Sequence, residues 1–167
     1  TPADFLPVAA DSEIEFCLAT TDPNGNPTTG ITRTYTSNNV WSVFNSVKFS
    51  DQGGVDAWNT SDYLNVWVCN IDGGVLGYAQ FPGGPAASDG VVCTTSAFGN
   101  MGYVFPPFDL GRTMTHEVGH WLNLYHIWGD GDCTDDDLIS DTPNAGYPNY
   151  TDFGCAYPGG NSCDEGE

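Results

Sequence analysis

With 167 residues, 40% of them hydrophobic and 13% aromatic, the chain has enough apolar surface to bury a core in one domain, which excludes a disordered polymer. Its 22 acidic residues are balanced only by Arg33, Lys48 and Arg112, a formal charge of -19, so phosphate repulsion excludes nucleic acid as a partner. No apolar run approaches the about 20 residues of a membrane-spanning helix, and no signal peptide opens the sequence, so Thr1 reads as a start made by processing or excision.

In chain order, residues 14–20 (I-E-F-C-L-A-T) alternate like a strand, and D-P-N-G-N-P at 22–27 has turn chemistry. Residues 64–70 (L-N-V-W-V-C-N) read as a second strand closed by Asp72-Gly73-Gly74, residues 77–81 as a short third and residues 90–95 as a fourth. A helix is expected from near Leu110 to near Leu124, then loops from Gly129 onward with at most a turn of helix. Strands followed by one long helix, with no repeat or linker, predict a single α+β domain over 1–167. Cys17, Cys69 and Cys93 lie inside the strand-like runs, where a free cysteine serves as a small buried hydrophobe. Cys133, Cys155 and Cys163 lie in a Gly, Pro and Asp-rich stretch that gains from cross-linking, which implies an oxidising compartment. Asn59 and Asn149 head N-x-S/T sequons.

Residues 116–126 read H-E-V-G-H-W-L-N-L-Y-H and contain every histidine of the chain. At about 100° and 1.5 Å per helical residue, His116 and His120 lie about 40° apart around the axis and about 6 Å along it, so both imidazoles reach one cation from one face. Glu117 follows the first ligand directly. It is turned aside from the pair towards a water in the metal's open fourth position, where a general base belongs. His126 is too far round for an unbroken helix to deliver, so the backbone must turn sharply after His120. Asn123 is placed to allow that turn, because Asn tolerates the left-handed conformation. A surface helix can carry H-x-x-x-H by chance, but a third histidine at this interval, in a chain with no other, favours zinc.

The run of residues 116–130, followed by Asp141-Thr142-Pro143, closely resembles the pappalysin family of metzincin zinc peptidases. Similar stretches occur at 14–19, 48–58, 63–69 and 74–82, so the resemblance covers nearly the whole chain. Asn123 stands where the wider metzincin pattern has Gly, a change that pappalysins accept. The resemblance implies a metzincin-like catalytic domain with a twisted mixed sheet, an active-site helix and a loop-rich C-terminal part. It implies a secreted zinc-dependent endopeptidase that takes peptide or protein substrates: His116, His120 and His126 hold Zn2+, and Glu117 carries a proton from the zinc-bound water to the leaving amine. Residues 77–81 resemble the strand edge that pairs with an extended substrate.

Six aspartates, at 130, 132, 135, 136, 137 and 141, make a loop whose hard oxygen ligands suit calcium, although Asp135 breaks the EF-hand pattern where Gly is required. The resemblance implies Ca2+ held by Asp137, the Ser140 carbonyl, Asp141 and Thr142. It also implies a disulfide between Cys133 and Cys163, with Cys155 paired beyond Glu167. Family members carry a first strand and helix ahead of the segment matching Ile14, and a Met-turn past the third histidine. The only methionines here, Met101 and Met114, precede His126, so the chain reads as incomplete at both ends, to be completed by missing sequence or another chain. The alternative reading is a non-catalytic structural or assembly module derived from the same fold.

Overall fold

The computed structural model describes residues 6–7, 9–140, 142–148 and 163. The chain divides into two compact units, Thr1–Tyr35 and Thr36–Glu167.

In the first unit the turn at 22–27 forms through the Asp22 side chain. Its Oδ1 accepts the amides of Asn24 and Asn26 at 2.9 and 2.8 Å, and Thr21 and Pro27 close an antiparallel bridge. The strand expected over 14–20 is not formed. Those residues are irregular, and Ile14, Phe16 and Leu18 are exposed, as is Cys17, which is therefore not a buried hydrophobe. Alternation marks one face as apolar, but a strand also needs a partner edge, and residues 14–20 pair with no strand among the described residues.

The second unit carries a three-stranded mixed sheet of β1 (Val66–Cys69), β2 (Gly77–Ala79) and β3 (Val91–Thr94), in the order β1-β3-β2. β1 runs parallel and β2 antiparallel to β3. The central β3 is buried at every position, which is why its sequence is a continuous apolar run rather than an alternation. Register brings Trp67, Val92 and Tyr78 side by side on one face, where they pack with Trp41 and Val47 to make the core. The Trp67 indole donates to the Val55 carbonyl at 2.8 Å, so its polar edge is satisfied inside the core. Lys48 is also inside, 1% exposed. Its ammonium donates to the Ser88 carbonyl at 2.7 Å and stands 5.3 Å from the ring centroids of both Trp67 and Tyr78, a hydrogen bond and two cation–π contacts in place of water.

The opposite face carries Gly77 and Cys93 in register and is covered by the helix α1, Arg112–Trp121. The helix starts after Gly111, in the left-handed region at φ 71°, and is shorter than the 110–124 expected. Its end is a Schellman motif: the Leu124 amide donates to the Gly119 carbonyl and the Asn123 amide to that of His120, both at 2.9 Å, with Asn123 left-handed at φ 75°. The Trp121 indole donates to Asp89 Oδ1 at 2.9 Å, which ties the last helical turn to the segment leading into β3.

Candidate metal centre

α1 presents His116 and His120 from successive turns, and the reversal at Asn123 brings His126 back towards them. The three Nε2 atoms stand 3.0 Å apart for His116 and His120, and 3.1 Å apart for each of the other two pairs. The outer nitrogens explain how the rings are held. His120 Nδ1 lies 2.7 Å from the Leu124 carbonyl and His126 Nδ1 lies 2.6 Å from Asp130 Oδ1. A carbonyl only accepts, so His120 carries its proton on Nδ1 and turns an Nε2 lone pair inward; the Asp130 carboxylate fixes the same tautomer in His126. Converging lone pairs at this spacing repel one another unless a cation sits among them, so the donor set fits a metal that favours imidazole. Among the described residues these histidines are the one group of three or more side chains so disposed.

Burial, and then the proximity of His120 and His126, hold the pKa of His116 below its ordinary value. Glu117 is 6% exposed, and burial raises its carboxyl pKa to about 7. Its side chain lies against β2 at Gly77. The histidines open onto a cleft of about 290 Å³ whose lining includes Thr115, Tyr125 and Trp128. Trp128 stacks on His126 with centroids 4.2 Å apart and planes 7° from parallel, while Phe81, just past β2, stacks on Tyr125 at 5.0 Å and leans on His120 at 5.3 Å.

The sequence reading missed Phe81 and Trp128 as walls of this site, and it placed Asp130 only in the acidic cluster. The signal for Asp130 was its position four residues after His126.

The peptidase M43 family model, described as pregnancy-associated plasma protein-A, matches residues 48–154. The chain belongs to this family. Within M43, the resemblance to pappalysins and the comparisons with solved structures agree. The mature mirolysin of Tannerella forsythia, solved in complex with a cleaved peptide, is 54% identical with a TM-score of 0.84, over 89% of this chain and 57% of that one. Mirolysin in complex with compound 9 is 48% identical with a TM-score of 0.83, over 99% of this chain and 64% of that one. The fold is thus that of a mirolysin-like metzincin, with a mixed sheet and, among the described residues, one α-helix. A curated relative, extracellular metalloprotease 1 of Coccidioides posadasii, is 40% identical over 110 residues, 62% of this chain and 37% of the relative. An extracellular metalloprotease of Arthroderma otae is 40% identical over 90 residues, 50% of this chain and 32% of the relative. The matched residues therefore span about a third of the length of these curated relatives.

In this M43 chain the acidic loop is turned largely on itself. Asp132, Asp136 and Asp137 accept the amides of Thr134, Leu138 and Ile139, and Asp135 that of Asp132. Asp137 is buried, and the Thr142 amide donates to the Ile139 carbonyl at 3.0 Å. Asp141 lies outside the described residues, as do Asn149 and Cys155. A disulfide joins Cys133 to Cys163. Cys93 is fully buried and Cys69 partly so, both as free thiols.

Proposed function

We propose that residues 1–167 are a catalytic domain of a secreted zinc endopeptidase, with His116, His120 and His126 as zinc ligands and Glu117 as general base. The observation that carries this reading is the convergence of three imidazole Nε2 atoms, 3.0 to 3.1 Å apart, two of them from the helix that also bears a buried glutamate. Zinc held there supplies Lewis acidity, polarising an amide carbonyl and acidifying water.

The remaining work falls to the chain's own groups. Glu117, being poorly solvated, is a stronger base than an ordinary carboxylate. Its oxygen accepts a proton from the attacking water and returns it to the amide nitrogen as the C–N bond breaks. Asp130 and the Leu124 carbonyl hold the Nδ1 protons of His126 and His120, so both rings keep their inner lone pairs aimed at the metal. Phe81, Tyr125 and Trp128 form aromatic walls beside the histidines. The outer edge of β2, which pairs with β3 on its other side, offers an extended peptide a line of amides and carbonyls. Secretion is supported by relatives named extracellular metalloproteases and by the Cys133–Cys163 disulfide. Calcium is assigned to Asp137, the Ser140 carbonyl, Asp141 and Thr142, with the buried Asp137 as its support.

Glu117→Gln tests the assignment. It keeps the side chain's volume and leaves all three ligands, so zinc content is expected to stay at the parent level. Loss of the base is expected to lower kcat on an unstructured protein substrate by about 100- to 10,000-fold. Undiminished cleavage by the variant would refute the role of Glu117, and an inactive parent would favour the structural-module reading.

A further inference from the structure

We infer that Gly77 is a positioning residue for Glu117: the absent side chain on β2 is the slot that sets where the Glu117 carboxylate lies. This rests on the reading of Glu117 as general base. Gly77 opens β2 and is in register with the fully buried Cys93 of β3, on the face that α1 covers. A Cβ at Gly77 would stand 2.7 Å from Glu117 Cγ, 2.8 Å from Oε1 and 2.9 Å from Cδ. Each distance is well inside van der Waals contact, so the end of the Glu117 side chain lies directly on the strand backbone.

Glycine weakens a strand and is characteristically found where another group approaches closely. Conformation supplies no other reason for it here, because Gly77 is not among the glycines with positive φ. The contrast with Gly119 on α1 is instructive: there an added Cβ would come no closer than 3.7 Å to Leu124, an ordinary contact. At Gly77 the obstructing atoms are the far end of a flexible side chain rather than backbone. An added methyl group therefore displaces the carboxylate and spares the sheet. The three atoms nearest the added methyl group all belong to Glu117, so the base is expected to move while the three histidines keep their places.

The test compares the zinc-loaded full chain with its Gly77→Ala variant in kcat, KM, zinc content and crystal structure. The expected result is a fall in kcat of at least about tenfold with KM changed by less than about twofold, since misplacing a catalytic group by about 1 Å can cost about 100-fold. Zinc content is expected to equal that of the parent, and the crystal structure to show the Glu117 carboxylate displaced with the β2 backbone and the histidines unmoved. In a Glu117→Asp background, whose shorter side chain leaves the slot, Gly77→Ala is expected to change kcat by less than about twofold. A raised KM at unchanged kcat would overturn the inference, because β2 would then act on substrate directly. An equal penalty in both backgrounds, or loss of zinc or of the fold, would overturn it too. If the parent proves inactive, the functional reading fails by itself, and the position of the carboxylate in the Gly77→Ala crystal still decides whether the glycine sets it.

Discussion

Two imidazoles of the site are fixed through their outer nitrogens, His120 by the Leu124 carbonyl and His126 by Asp130. Helix geometry alone puts residues four apart on one face, so His116 and His120 could be paired on paper, and Glu117 beside them. Asp130 was visible only as one aspartate among six. Its link to His126 depends on the chain turning back after the third histidine, where the Gly129 amide donates to the His126 carbonyl at 2.9 Å and Asp130 takes φ 63°. Phe81 was hidden for a similar reason, since no spacing rule links a strand end to an imidazole 39 positions later in the sequence. Asp130 Oδ1 lies 2.6 Å from the Nδ1 of His126, a ring that points its other nitrogen into the site. Asp130→Ala is therefore expected to weaken zinc binding by about 10- to 100-fold. Competition with a chromogenic chelator measures it, and an unchanged affinity would show that the ring is held by its stack on Trp128 instead.

Elements were legible to the extent that their sequence pattern and their partners agree. β1, β2 and β3 fall within the runs read as strands, because an alternating or continuous apolar run there meets a neighbouring strand. Residues 14–20 have the same alternation without a neighbour, and remain irregular. The helix stops at Trp121 rather than Leu124 because backbone hydrogen bonds, which periodicity does not report, close the Schellman turn. Asn123 is the residue on which that turn depends. Asn123→Gly is expected to preserve both stability and zinc affinity, whereas Asn123→Val, forced into the left-handed region, is expected to lose about 1 to 2 kcal/mol of stability and to bind zinc more weakly. Urea unfolding together with zinc titration checks both. Equal behaviour of the two variants would mean that the turn does not govern how His126 reaches the site.

At the scale of the whole molecule, the composition misled in one respect: of the three basic side chains, Lys48 belongs to the core and only Arg33 and Arg112 are exposed. Burial lowers the Lys48 pKa from 10.5 to about 8 against the opposing pull of Asp89. Below about pH 8 the lysine is charged in folded and unfolded chains alike, and the cost of burying the cation is fully present. As pH rises from 8 towards 10.5 the unfolded chain keeps the proton that the folded chain has shed, so Lys48 raises stability by at most about 1.4 kcal/mol per pH unit. Cys69 and Cys93, raised by burial from 9.0 to about 11, act oppositely between those values. The gain from Lys48 is thus expected between about pH 8 and 9, measured as a rise in unfolding free energy that Lys48→Met lacks. Parallel profiles for parent and variant would contradict it. The central claim, that three histidines gather one zinc on which peptide hydrolysis depends, is tested most directly by measuring zinc stoichiometry and proteolysis on the same preparation through chelation and zinc restoration. The account predicts one zinc per chain, cleavage lost with the metal and regained with it; cleavage that persists in zinc-free protein, or a protein that binds no zinc, would contradict it.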